Sequence, residues 1–216
     1  MHERDDDGIW RPLARPVAAI PDGSIAALRR QAAECRACDL WEHATQTVFG
    51  AGSAKARVVL VGEQAGDRED IEGRPFVGPA GTLLRGVLEE VGIDTAEVYV
   101  TNAVKHFRFE QRGKVRLHKR ANAAQQAACR QWLAAELDRI RPRQVVCLGA
   151  LAAQNVFGND FRLTAQRGRW QELAGARGMA TWHPSAVLRA PGDRRQALHD
   201  DLRADLALVA EAMAED

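Results

Sequence analysis

The sequence has almost no net charge: 30 lysines and arginines stand against 29 aspartates and glutamates in 216 residues, leaving +1 at pH 7. That balance removes bulk charge as a guide to partners, so any nucleic-acid footprint has to be local. No apolar run approaches the length of a membrane-spanning helix. The first residues, Met-His-Glu-Arg-Asp-Asp-Asp, are too acidic and polar for a signal peptide, and the chain reads as cytoplasmic with no membrane partner. There is no internal repeat and no low-complexity segment. Cysteine is sparse, at four residues. In that compartment they point to metal or redox chemistry before disulfides.

What is present is an alternation of short apolar runs and helical patterns, in a chain long enough to bury a full core. Residues 1–22 contain three prolines and a run of acids and read as a loosely held leader, so residues 23–216 form a single domain. Ser24 caps a predicted helix to about Glu34, and Cys35-Arg36-Ala37-Cys38 follows at its end. Strands are predicted at Arg57–Val61, Glu97–Thr101 and Gln144–Leu148, and later at Phe161–Trp170 and Gly178–Thr181. Helices are predicted at Thr82–Val91, 123–140, from Gly149 to near Gly158, and at Asp193–Met213. This order predicts an α/β fold with a parallel sheet and helices on both faces.

The stretch Gly62–Gly81, GEQAGDREDIEGRPFVGPAG, follows the first strand. Its carboxylates, its Phe76 and its glycines suit a pocket for a flat polar ligand. A phosphate cradle fits less well, because the stretch has no lysine and the wrong sign of charge. Glu63 and Gln64, Asn102, Gly149 and His183 all fall near the carboxyl ends of predicted strands, which gather on one edge of such a sheet at the crevice where ligands bind. A basic segment leaves the same edge. Lys105–Arg120, KHFRFEQRGKVRLHKR, holds seven lysines and arginines against the single acid Glu110. With Phe107 and Phe109 interleaved, it suits a phosphate backbone and unstacked bases. The C-x-x-C pair leaves three readings open: a redox pair, half of a zinc site, or half of an iron–sulfur site. The redox reading is the weakest, since a helix precedes the motif instead of starting at it.

The ordered set GEQAGDRED…PFVGPAG, TNAVKHF, KVRLH, AACRQWL, VCLGA and WHPSAVLR resembles the iron–sulfur, family 4-like branch of the uracil-DNA glycosylase superfamily, and within it the UdgX type. The resemblance runs over about residues 31–210. It implies a three-layer α/β/α fold around a central, largely parallel four-stranded sheet. The implied activity is cleavage of the N-glycosidic bond of deoxyuridine in DNA. By the same resemblance, Glu63 and Gln64 serve the sugar and its neighbours, Phe76 stacks under uracil, and Asn102 reads the uracil edge. His183 faces a uracil oxygen, and Arg189 contacts DNA. Gly62 and Asp67 belong to the same loop, and Lys114 and Arg116 to the basic loop. Ala65 stands where the family usually has proline.

The UdgX type further implies that His118, at the end of Lys114-Val115-Arg116-Leu117-His118, attacks the sugar carbon and stays joined to the DNA. The alternative is that His118 only contacts phosphate. A 4Fe–4S cluster on Cys35, Cys38, His106 and Cys129 is implied too, with histidine where relatives have a fourth cysteine. Zinc on the same four residues is the competitor on ligand chemistry. Cys147, inside an apolar strand, reads as a small buried hydrophobe. The expected partner is uracil-containing DNA, with single strands preferred, acted on by a monomer that releases uracil. Two other functions remain: a conventional turnover glycosylase, and a non-catalytic iron–sulfur protein that binds DNA.

Overall fold

The computed structural model describes Leu13 and residues 19–215. Most of the expected leader lies outside the described residues, but Leu13 is 8% exposed and packs into the main core. In chain order the elements are α1 (Ile25–Ala33), β1 (Ala51–Gly52), β2 (Val58–Gln64), α2 (Asp67–Glu72), α3 (Pro79–Glu90) and β3 (Val98–Val104). Then follow β4 (Phe109–Arg112), β5 (Val115–His118), α4 (Ala123–Ile140), β6 (Gln144–Leu148) and α5 (Ala150–Phe157). The chain ends with α6 (Leu163–Gln166), β7 (Gln171–Leu173), β8 (Ala176–Thr181), α7 (Pro184–Arg189) and α8 (Gly192–Glu215).

The central sheet has the order β1-β3-β2-β6-β8-β7. Its inner four strands are parallel, as expected, and β1 and β7 add short antiparallel edges. Because side chains alternate across a strand, each inner strand feeds two cores. Val59, Val61, Val145, Cys147 and Ala180 face one layer with Leu28, Trp132, Leu133, Leu137 and Leu151 from α1, α4 and α5. Val58, Leu60, Val146, Leu148 and Met179 face the other, with Leu84, Val87, Val187, Leu202, Leu206 and Val209 from α3, α7 and α8. Cys147 is fully buried among the first set, the small hydrophobe its sequence context suggested.

Local chemistry explains the helix starts nearest the site. Asn122 and Gln125 form a reciprocal capping box at α4, each side chain accepting from the other's backbone N–H at 2.9 Å. Pro79 occupies the first turn of α3, where a missing N–H costs nothing. Three expectations need correction. The stretch 161–170 is not a strand: it holds the short α6, then Gly168 at φ +66°, and pairing begins only at Gln171. Gly168 lies so close to Asp205 that a Cβ there would sit 2.4 Å from its Oδ1, so the turn depends on a contact distant in sequence. The acidic stretch after β2 is not all loop either. Asp67, Glu69 and Asp70 form the first turn of α2, where carboxylates oppose the positive helix end. The basic segment, finally, is an antiparallel hairpin, β4–β5, pairing Phe109 with His118 and Arg112 with Val115.

Candidate active site

The carboxyl ends of β2, β3 and β8 lie side by side, with Gly62 opposite Asn102 in the β2–β3 register. β2 and β3 run further than expected, so Glu63 and Gln64 are the last residues of β2 and Asn102 lies inside β3, two residues before its end; none is a loop residue beyond a strand. Gly62 makes the close approach possible. A Cβ there would lie 2.2 Å from Asn102 Oδ1 and 2.8 Å from the Phe76 ring. Phe76 itself sits at φ +56°, a costly conformation for an aromatic residue, and its carbonyl is held by Arg85 Nη1 at 2.9 Å. Its ring is nearly parallel to that of His183, at 26° with centroids 6.0 Å apart.

His183 is fixed in one tautomer. The backbone N–H of Ser185 donates to its Nδ1 at 3.1 Å, so in the neutral ring the proton resides on Nε2. The Ser185 hydroxyl also lies 2.7 Å from Nδ1. Burial, and then the positive charge of Arg189 and the proximity of His118, push the His183 pKa down to about 4. At neutral pH this ring is therefore an uncharged donor. Gly149, at φ +93°, leaves room for it: a Cβ there would be 3.0 Å from the His183 Cβ.

His118 closes the site from the hairpin. Its ring is tilted against Phe107 with centroids 6.0 Å apart. Burial lowers its pKa, the negative charge of Glu63 raises it, and Arg189 lowers it. That pattern places His118, Glu63, His183 and Arg189 within electrostatic reach of one another. Two anchors hold the hairpin there. Gln64 accepts from Ala121 N at 2.9 Å and donates to Lys119 O at 3.0 Å and Arg108 O at 3.4 Å, stapling both ends of the insertion to β2. Arg116 reaches across to α2, with Nε 2.6 Å from Asp67 Oδ1 and Nη1 2.6 Å from Asp70 Oδ2.

Several sequence-predicted roles look different in this setting. The Gln64 amide is fully engaged by backbone groups of the hairpin ends. Arg116 and Asp67 face each other, so the guanidinium is a latch before it is a DNA contact. Phe107 is 2% exposed and packs with Val48 and Ala65, so its ring is no platform for bases, while Phe109 stacks on it at 5.2 Å and stays partly exposed. Lys114 at the hairpin tip and Arg189 at the end of α7 are exposed, as cations awaiting phosphate would be. Sequence reading overlooked Asp70 and Glu69. Asp70 is fully buried and also accepts from Thr45 N at 2.9 Å. Glu69 accepts from Asn102 Nδ2 at 3.0 Å. Only the position of Glu69 three residues after the helix cap carried a local signal.

Behind the pocket lies a buried ionic knot. Lys105 Nζ is 2.5 Å from Glu136 Oε2, and it also donates to Thr101 Oγ1 at 2.6 Å and to the Asn102 carbonyl at 2.7 Å. Glu136 Oε1 accepts from Tyr99 Oη and from Gly50 N, both at 2.9 Å.

The possible cofactor donors adjoin the knot. Lys105 N donates to Cys129 Sγ at 3.1 Å and Trp132 Nε1 to Cys35 Sγ at 3.2 Å. Burial pushes the Cys129 thiol up to about 12, with Lys105 opposing and the charges of Cys38 and Cys35 adding to the rise. His106 is 4% exposed. Thr47 Oγ1 donates its only proton to Ala32 O at 3.0 Å, so at 2.9 Å it accepts from His106 Nε2–H. That fixes the tautomer and leaves the Nδ1 lone pair free to bind a metal. Among the described residues, no three His, Cys, Asp or Glu side chains converge closely enough to hold a single ion. A polynuclear cluster spreads its ligands farther apart than one ion does. The donor set, three soft sulfurs and one imidazole, suits such a cluster and suits zinc as well on ligand chemistry alone.

The family model for the uracil DNA glycosylase superfamily matches residues 49–207. The type-4 uracil-DNA glycosylase of Archaeoglobus fulgidus is 35% identical over 181 residues, covering 80% of this chain and 87% of that protein. The type-4 enzyme of Thermotoga maritima is 38% identical over 173 residues, covering 77% and 85%. The type-5 uracil-DNA glycosylase of Pyrobaculum aerophilum is 31% identical over 169 residues, covering 70% and 71%. With the four parallel strands in place and Gly62, Asn102 and His183 meeting at their ends, these matches establish that the chain belongs to the uracil-DNA glycosylase superfamily, in company with its type-4 members.

Proposed function

We propose that this protein excises uracil from DNA and becomes covalently joined to the resulting abasic sugar through His118. The observation that carries the second half is the position of His118. A doubly anchored hairpin holds its imidazole opposite Glu63, within electrostatic reach of Arg189 and His183. A base flipped from the stack lies on the Phe76 ring with its edge towards Asn102, while Lys114 and Arg189 hold phosphates. The N-glycosidic bond breaks with its electron pair leaving on the uracil nitrogen. The neutral His183 Nε2–H donates to the anionic base, and the Glu63 carboxylate stabilises the cationic sugar. One His118 ring nitrogen then gives its lone pair to the sugar carbon, and the imidazolium so formed loses its other ring proton to solvent. An alkylated imidazole leaves poorly, so the product persists.

Cys35, Cys38, Cys129 and His106 Nδ1 are the proposed ligands of a 4Fe–4S cluster. Bound there, the cluster would cross-link the chain after α1, the end of β3 and the first turns of α4. Ala65, where the family usually has proline, packs against Phe107.

Mixing the protein with single-stranded uracil DNA should give a band that resists heat and detergent on a denaturing gel, absent with thymine DNA. H118S should lose the band and release uracil with turnover, since water then reaches the sugar. Abasic DNA without a band from the wild type would sink the covalent step and leave the conventional glycosylase. No base release, with equal binding to uracil and thymine DNA, would favour the non-catalytic reading.

A further inference from the structure

Asn102 is the one side chain at the pocket floor that can both donate and accept, and an amide alone does not know which way round to stand. Turned one way it meets a base that offers a carbonyl oxygen and a ring N–H, as uracil does. Turned the other way it meets cytosine, which offers an amino group and a bare ring nitrogen. Discrimination between the two therefore needs something that fixes the amide. Asn102 is 2% exposed, its Oδ1 lies against Gly62, and its Nδ2 donates to Glu69 Oε2 at 3.0 Å.

Glu69 is the third residue of α2, so its carboxylate turns back towards the backbone N–H groups of the cap residue Gly66 and of Phe76. Burial raises its pKa, and the donors Phe76, Asn102 and Gly66 oppose that rise. A carboxylate accepts and cannot donate. If the Asn102 amide flipped, its oxygen would face the Glu69 oxygen, with a buried hydrogen bond lost and two acceptors in contact.

We infer that Glu69 is a specificity-determining positioning residue, which locks the Asn102 amide in the uracil-reading orientation and thereby excludes cytosine. This rests on the proposed uracil excision. The fold adds a purpose to the placement of α2: one end of the short helix carries Asp67 and Asp70 for the Arg116 latch, and the same turn carries the lock for Asn102.

The test is E69Q. Glutamine keeps the shape and serves the capping position as well as glutamate does, but its amide can donate to Asn102 Oδ1 as readily as it accepts from Nδ2. Single-turnover base release should be compared on uracil and cytosine oligonucleotides, with free cytosine as a competitor of uracil release. Uracil release is expected to fall about twofold, since half the amides face the wrong way. The uracil-to-cytosine ratio is expected to fall by about tenfold or more, because a site built for a hydrogen bond derives its selectivity from it. Free cytosine should begin to compete. A ratio within twofold of wild type, with cytosine still inert, would overturn the inference and leave Glu69 as a helix cap alone. Should E69Q not fold, E69A removes the acceptor, and the same ratio decides. A wild type that releases no uracil fails at an earlier step, so the loss of the underlying reading is distinguishable from the loss of the lock.

Discussion

Two ion pairs flank the pocket, and they differ in almost everything but length. Lys105–Glu136 at 2.5 Å is wholly buried, with side chains 1% and 0% exposed, and it holds the backbone of Asn102. Arg116–Asp70 at 2.6 Å joins an 18% exposed guanidinium to a buried carboxylate, and it holds the hairpin that carries His118. The first positions the residue proposed to read the base. The second positions the residue proposed to capture the sugar. A desolvated pair tolerates the loss of a partner poorly, whereas a half-wet latch can open without unfolding the domain around it. The proposed base recognition is thus built into the core, and the proposed capture step is hung from its surface.

The sharpest way to break that comparison is K105M. It leaves Glu136 charged and buried, with only Tyr99, Thr101 and Gly50 as donors. The cost should be about 3–5 kcal/mol, read as a fall in the denaturant midpoint. The double variant K105M/E136Q should recover part of that loss, because the orphaned charge goes with it. If K105M melts like wild type, the knot is not structural and the contrast with the latch collapses.

R116M should do less to stability and more to capture. Asp70 keeps its bond from Thr45 N, so the expected loss is about 1–2 kcal/mol. The adduct band should form more slowly while uracil release persists, since Asn102, Phe76 and His183 are untouched. Equal losses in release and capture would show that the hairpin also builds the base pocket. Q64A works on the same hairpin from its other end. It leaves Ala121 N without its side-chain acceptor, and about 1 kcal/mol is expected, again with capture falling before release. Hydrogen exchange of the β4–β5 amides should quicken in both variants and stay slow in K105M/E136Q.

The layered fold was legible because β2, β3 and β6 are short runs rich in β-branched residues, separated by helical patterns, and local pattern suffices for those. Gly62, Asn102 and His183 stand near the carboxyl ends of strands, whereas Phe76 lies between α2 and α3, and only the family resemblance gave it a stacking role. The edge strands were not legible. β1 is two residues long and β7 three, and both exist only because a neighbour offers a ladder. The hairpin looked like a loop because its apolar residues do not gather on one face: Val115 and Leu117 share a face with Glu110 and Arg112, and Phe109 shares the other with Gln111, Arg116 and His118. The parts of Gln64, Glu69, Asp70 and Arg116 were hidden more deeply. Each is defined by a hydrogen-bond partner 33 to 57 residues away, and nothing in a local window names such a partner.

His183 stands between the two regions, packed like the knot but open to the cleft like the latch, and pH separates its contribution from theirs. In the fold its pKa is lowered from 6.5 to about 4 by burial, then by Arg189 and His118. An unfolded imidazole takes its proton near 6.5, so between those two values the unfolded chain binds more protons than the folded one. Stability must therefore fall as pH drops through that window, and the contribution is flat above it. The difference in denaturant midpoint between wild type and H183Q isolates this group from the other titrating residues. That difference should narrow steadily from pH 6.5 towards 4 if the wild type alone carries the depressed imidazole. A difference independent of pH would mean that His183 is protonated as easily in the fold as out of it. A charged donor would then compete with the uncharged Nε2–H assigned to the leaving base as soon as the pH falls to about 6.5.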